Sequence, residues 1–559
     1  MRGRSRALAV VLLAASAIVS GCAGVPDSGG VHLGEPVAAA GQSLVGGAIR
    51  EVPALPQPAA TPVQLIAGFL GAMVDSDSGY AVARSYLAHG TVWNATTGIT
   101  VYANPPAITR VGRHEVTVRA RQLGRIATNG TYRVETGTID RHFSLSRRTG
   151  EWRIAGLDAG ALLSADDAGR VLQPASIYFL TPSGRRVVPE PVLTSPAEPG
   201  LATTLMRGLL AGPDPMLAPG VRTAAPRGTL LVGNVPISAD GVAEVDLTAG
   251  ARQITPAQLM QLSAQIVWTL RQIPAVTAVR LLANGAPLAS SDAPSLQSIG
   301  AWSQFDPSVP PTTPGALLVR DGDVTGFEAV VPAALRAAGL LAPARSADGA
   351  IVAALRRTRS GEQLLVGGTE GPLRVRLRAP ALTAPAFGPD GRVLIATAPG
   401  TVHSVGLTGR LRRLSLPAAL KGRRISSLAV SRDGTRLALI LGAGELWVAT
   451  IVEQHGAISV TEPRIVLPAT FRVAGVAWSD ADRLVATVAD RDHTRHVVEV
   501  GVDGYAMSDL TGPGLPSDVD EVAAAPGQPV LASGPTGTWR LGGRRWERVS
   551  PGVSPSYAG

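Results

Sequence analysis

A single cysteine, Cys22, stands in 559 residues. Internal disulfides are therefore excluded, and the fold has to be held by burial. Lysine is equally scarce, with Lys421 alone beside many arginines. Joined to 64 Gly and 44 Pro, this near-exclusive use of arginine reads as the bias of a GC-rich genome and not as a nucleic-acid footprint. There is no Gly-x-Ser-x-Gly elbow, His-Glu-x-x-His pair or phosphate loop, so three common ways of concentrating chemistry are missing. The eight histidines are scattered. Hydrophobic residues make up 45% and charged residues 17%, the composition of a chain that folds, and its length calls for several domains.

Arg2, Arg4 and Arg6 precede an apolar run from Ala7 to Val19, and Ser20-Gly21-Cys22 follows it. A basic start, a short uncharged run and small residues before a cut compose an export signal, and the run is too short for a permanent membrane span. Residues 1–21 are thus expected to leave. They take three arginines with them, and the formal charge falls from +9 to +6. Cysteine at the first mature position resembles the lipobox of bacterial lipoproteins, which implies lipidation of Cys22 and attachment to a membrane through acyl chains. Export argues against a nucleic-acid partner.

Residues 22–60 are rich in Gly, Pro and Ala, with Pro53, Pro56, Pro58 and Pro62 closing the stretch, and read as a lipidated tether. Asp27-Ser28-Gly29-Gly30 is similar to a serine-protease nucleophile motif, but Pro26 stands where a glycine belongs and the segment is a tether. From 61 to 170 an α+β domain is expected. Thr61-Pro62 starts a helix carrying Leu65, Ile66, Phe69, Leu70, Met73 and Val74. Strand patterns follow at Ile99 to Tyr102, Glu115 to Arg121, Thr131 to Val134, Phe143 to Leu145 and Trp152 to Ile154. This order is similar to the NTF2-like cone.

Residues 171–300 carry a strand at Ser176 to Leu180, a helix from Leu201 to Leu210 ended by Gly212-Pro213, and a strand opened by Pro226-Arg227-Gly228-Thr229-Leu230. A further strand from Gly241 to Leu247, a helix begun by Thr255-Pro256 and an Asn284-Gly285 turn complete the unit. The Gly-Pro, the Pro-x-Gly-Thr, the Val-Asp-Leu strand and the helix with Gln265-Ile266-Val267-Trp268-Thr269-Leu270 resemble the GerMN domain. That resemblance implies a binding module without catalytic residues.

Asp306-Pro307-Ser308-Val309-Pro310-Pro311-Thr312-Thr313-Pro314 reads as a Pro-rich linker over 301–315. Beyond it, Asp348, Asp390, Asp433, Asp480 and Pro526 recur at spacings of 42, 43, 47 and 46, each ahead of an apolar run. Four-stranded propeller blades have this period, and residues 316–550 hold about five of them. Asp390 and Asp433 are expected to cap turns, not to ligate a metal. His493 and His496 have a spacing that could serve a metal but lie in a charged loop, so neither a metal nor another cofactor is expected. Arg374, Arg376 and Arg378, Arg410, Arg412 and Arg413, and Arg423 and Arg424 are expected on outward faces, where convergence would suit an acidic partner.

Lipobox, α+β module, GerMN-like unit and propeller, in that order, resemble the LpqB family of actinobacterial lipoproteins along nearly the whole chain, and the opening Gly21-Cys22-Ala23-Gly24-Val25-Pro26-Asp27-Ser28 is similar as well. The resemblance implies a non-enzymatic regulator on the outer face of the cell membrane. It implies binding to the extracellular domain of an MtrB-like sensor histidine kinase, with effects on cell division and envelope homeostasis. Two alternatives stay open: a receptor for an envelope polymer or small ligand, and a propeller hydrolase.

Overall fold

The computed structural model describes residues 53–148, 150–195, 200–398, 400–454 and 457–559. The export signal, Cys22, the Asp27-Ser28-Gly29-Gly30 segment and most of the tether lie outside them. Thr61 begins the first helix, α1 (Pro62–Ala72). Its hydroxyl accepts from the Gln64 amide while the Gln64 side chain accepts from the Thr61 amide. The apolar stripe of α1 is buried, with Phe69 edge-on to Trp93 and Phe143. It packs on strands β1 (Ile99–Tyr102), β2 (Ala107–Arg110), β3 (Glu115–Ile126), β4 (Tyr132–Arg148), β5 (Glu151–Gly156) and β6 (Ala161–Ser164), arranged β5-β4-β3-β1-β6 with β2 also on β3. The runs expected as two strands, Thr131 to Val134 and Phe143 to Leu145, are one strand. Its middle, Glu135 to Ile139, loses the apolar alternation because it is exposed from Glu135 to Thr138. Pro53 to Ala60 is not all free tether, since the Ala54 carbonyl accepts from the Tyr86 hydroxyl at 2.8 Å.

In the second module β7 (Gln173–Leu180) pairs with β8 (Val187–Thr194), and α2 (Leu201–Ala211) and α3 (Pro256–Leu270) pack over them. The polar side chains of α3 explain how the other edge of β7 is satisfied. Gln265 Nε2 donates to the Tyr178 carbonyl at 3.0 Å, and the Tyr178 amide donates to Thr269 Oγ1 at 3.1 Å. Just past the helix, Gln272 accepts from the Ser176 amide and donates to its carbonyl. Side chains on one helix face thus take the place of a neighbouring strand, and the edge is closed to other chains. β9 (Val242–Leu247) runs parallel to β10 (Ala278–Ala283), and Asn284-Gly285, both at positive φ, turn β10 into β11 (Ala286–Pro287). The strand expected from Pro226 does not form. The Thr229 amide bonds back to the Pro226 carbonyl in a turn, Leu230 is exposed, and a lone bridge joins Leu231 to Leu247.

The C-terminal part is a ring of six sheets. Five blades of four or more strands occupy 340–379, 386–413, 425–467, 475–509 and 521–550. These are the five repeats read from the sequence. A sixth sheet joins Ala316–Arg320 to Asp323–Phe327 and to Val553–Tyr557, so the two ends of the segment share one blade and close the ring. A period count misses this sheet because its strands come from opposite ends, and the propeller extends past the expected limit of 550. The closing strand is fixed by Tyr557, whose hydroxyl donates to the Pro529 carbonyl at 2.7 Å, and by Ser554, whose amide donates to Glu521 at 2.9 Å. Each Asp-Gly turn enters a strand buried on both faces, such as Arg436–Leu441. Gly434 in that turn has φ +77 and would press a Cβ onto Pro389, so only glycine fits.

The Pro-rich stretch expected as a free linker is docked instead. Thr312 donates through its amide and its hydroxyl to the Ala347 carbonyl, Ser308 donates to Asp480, and Pro307 and Pro311 are buried. The described residues belong to one compact unit. The Pro-rich linker is thus packed against the propeller.

Candidate functional site

Three modules meet on buried charge. Glu190 lies in β8 between Pro189 and Pro191, 5% exposed, and its Oε1 accepts from the Asp214 amide at 2.8 Å. Asp214 follows α2 and is 3% exposed. It accepts from the Met216 amide at 2.9 Å and, from the first module, takes Arg133 Nη2 at 2.8 Å and the Thr131 hydroxyl at 3.3 Å. From the propeller, Arg436 donates to the Pro189 carbonyl and stands 3.8 Å from Asp433 Oδ2. Arg464 lies near Glu190, Asp214 and Asp503. Beside this cluster the Tyr132 and Tyr505 rings meet edge to face at 5.1 Å, joining first module to propeller. Further links are Ser176 to Asp482 at 3.2 Å and Arg186 to the Arg432 carbonyl at 2.9 Å.

The charge states follow from these contacts. Burial pushes the Glu190 carboxyl from 4.5 up to about 7, opposed by the Asp214 amide and aided by the Asp214 charge. For Asp214 burial also raises the value, but the Met216 amide and Arg133 outweigh it and hold the carboxyl below its usual range. Asp214 thus contributes stability at neutral pH that is lost as pH falls through its folded value. Glu190 acts oppositely. The unfolded chain releases this proton near 4.5 and the folded chain near 7, so stability is lost as pH rises through that window, by about 3 kcal/mol in all. Glu190→Gln keeps the acceptor for the Asp214 amide and removes the titration. Urea unfolding between pH 5 and 7.5 should show wild type losing stability relative to this variant, and equal slopes would contradict the assignment.

The residues singled out in the sequence do not converge. Asp433 Oδ1 accepts from the Ser431 hydroxyl and the Thr435 amide, both at 2.7 Å, and Asp390 Oδ1 accepts from the Arg392 amide at 3.1 Å. Both cap turns, on separate blades. His493 lies 3.2 Å from Arg472 Nη1, while His496 faces Asp490 at 3.5 Å. Among the described residues no group of three His, Cys, Asp or Glu could hold a metal. Arg374, Arg376 and Arg378 lie on the last strand of the first blade, and Arg412 and Arg413 on that of the second. Arg376 Nη2 donates across to the Leu407 carbonyl, so the two arginine edges adjoin. Arg423 instead pairs with Glu445 and lies over the Trp447 ring. Cys22 lies outside the described residues.

Sequence reasoning passed over Glu190, Asp214, Arg133, Arg436 and Arg464. One signal was present: a carboxylate inside Val187-Val188-Pro189-Glu190-Pro191-Val192-Leu193, and an arginine heading Leu437-Ala438-Leu439-Ile440-Leu441. Charges placed in otherwise buried strands need partners.

Between the first and second modules lies a cavity of about 600 Å³. Met73, Ile126 and Leu163 form one wall, and Ile177, Leu193 and Leu205 the other. The modules touch beside it through Gly130, whose carbonyl accepts from the Leu193 amide at 2.8 Å. Its φ of +83 and a Cβ position 2.8 Å from the Leu193 carbonyl reserve the place for glycine.

Fold and junction together define a multidomain protein in which two α+β modules are locked to a closed propeller. Residues 55–169 match the family described as "Lipoprotein LpqB, N-terminal domain", residues 176–289 match "Sporulation and spore germination", and residues 315–558 match "Lipoprotein LpqB beta-propeller domain". The first module thus carries its own family description, and the NTF2-like likeness gains no support. "Lipoprotein LpqB" of Rhodococcus opacus is 30% identical over 94% of this chain and 92% of its own, and that of Thermobifida fusca 28% over 99% of each. The chain belongs to the LpqB lipoprotein family. It is also similar to a solved structure, the first GerMN domain of the sporulation protein GerM from Bacillus subtilis, at 25% identity over 22% of this chain and 97% of that one, with a TM-score of 0.19. No helix among the described residues is long and apolar enough to cross a membrane.

Proposed function

We propose that this protein is a lipoprotein anchored through Cys22 to the outer face of the cell membrane, where it binds the extracellular domain of an MtrB-like sensor kinase and biases its signalling state. Family membership carries the reading. Two adjoining arginine edges on the first two blades supply a surface suited to an acidic partner. The protein acts by contact and not by catalysis. A ligand shifts a two-state receptor only by its difference in affinity for the two states. A preference of about tenfold, ~1.4 kcal/mol, is enough to alter phosphorylation downstream. Co-purification from solubilised membranes tests the contact. The kinase should be retained by the wild-type chain and be reduced by Arg374→Glu with Arg378→Glu, both exposed positions. Retention by neither chain would remove the proposed partner.

A further inference from the structure

Between the first two modules lies a half-open cleft of about 600 Å³, lined by residues of both. Its volume lies in the range of small-molecule sites, and its walls join two separate apolar cores. Apolar surface predominates, with hydroxyl and amide side chains such as Thr96, Asn129 and Thr204 contributed by both modules. Ser76 and Ser195 share a hydrogen bond at 3.1 Å, and Arg207, exposed on α2, is directed by Asn234 at 3.2 Å. Among the described residues lining the cavity, Arg207 is the one with a charge, and no carboxylate accompanies it. An apolar chamber with a single cation at its rim is complementary to an apolar chain that ends in an anion.

We infer that this cavity binds a single-chain amphiphile with an anionic head, the chain lying between the two modules and the head at Arg207. A cationic head would leave the guanidinium without a counter-charge, and a sugar polymer would leave the apolar walls unused. The site stands apart from the arginine edges of the propeller, so it adds to kinase contact a second input read by the same body.

The test uses the exported chain from residue 22 on, with Cys22→Ala so that no acyl chain of its own competes, in detergent-free buffer. The probe is cis-parinaric acid, whose fluorescence rises in apolar surroundings. Saturable uptake at one probe per chain is expected. Ala211→Trp, at an exposed lining position, should plug the cavity and weaken uptake at least about tenfold with the melting temperature unchanged. Arg207→Gln should weaken binding of the acid by about tenfold while leaving the methyl ester of the probe unaffected. Absence of saturable uptake, or uptake equal in wild type and Ala211→Trp, would overturn the site. Equal binding of acid and ester by the wild type would overturn the anionic head. No kinase enters these measurements, so they can fail while the proposed contact stands, and the reverse holds too.

Discussion

Arg436→Ala is expected to destabilise the chain by about 3–5 kcal/mol and to split one cooperative unfolding transition into two. The side chain is 2% exposed, heads a fully buried strand of the propeller, and bonds the Pro189 carbonyl of the second module. Its removal empties a space at the junction and leaves a buried carbonyl without this donor, and it takes the positive charge from beside Glu190 and the Asp433 Oδ2 oxygen, whose side chain is 0% exposed. Each loss is costly because a buried polar group without a partner forfeits its hydration. Removing both charges should cost less. In Arg436→Met with Asp433→Asn the space stays filled and Asp433 is no longer a stranded carboxylate, so the double variant should be more stable than Arg436→Ala. Differential scanning calorimetry and urea titration read both effects. A change within about 0.5 kcal/mol for Arg436→Ala would show that the junction does not couple the modules.

The second large effect concerns the membrane. Cys22→Ala is expected to abolish incorporation of a palmitate analogue and to move the protein out of the membrane fraction or leave it uncleaved. On the proposed reading, once residues 1–21 are removed the acyl chains on Cys22 would supply the membrane affinity, each buried methylene contributing ~0.8 kcal/mol. One chain binds only reversibly, whereas the two or three of a lipoprotein hold firmly. No spanning helix among the described residues would replace them. Metabolic labelling followed by fractionation is decisive, and undiminished labelling of the variant would overturn the lipobox.

Local signals in the sequence carried far into the fold. Thr61-Pro62 and Thr255-Pro256 mark the starts of α1 and α3, both with full capping boxes, and the recurring turns at Asp348, Asp390, Asp433, Asp480 and Pro526 mark five of the blades. These features are legible because the interactions that make them lie within a few residues. β8 was hidden by Pro189 and Pro191, which argue against a strand. They are tolerated because this strand belongs to a two-stranded sheet and has an unpaired side. The closing blade was hidden because Ala316–Arg320 and Val553–Tyr557 are far apart in sequence. The junction was illegible for the same reason. Arg436 and Pro189 lie 247 residues apart, and no pattern of period or propensity connects them. The Pro-rich segment misled because composition reports that a stretch cannot form helix, and not whether its carbonyls and rings find a surface to dock on. The reading of Cys22 rests on its local sequence context alone and lies outside the described residues, whereas Glu190, Asp214 and the cavity with Arg207 required the modules to be placed together.

That the exported body acts by contact is tested most directly by the phosphorylated fraction of the partner response regulator in cells. The fraction should change when the gene is deleted and return with the wild-type chain or with His493→Ala, an exposed histidine outside the junction and the arginine edges. It should stay altered with Cys22→Ala, which makes the same domains without their anchor. An unchanged phosphorylated fraction on deletion, or loss of complementation by His493→Ala in a protein that still folds, would contradict regulation by contact.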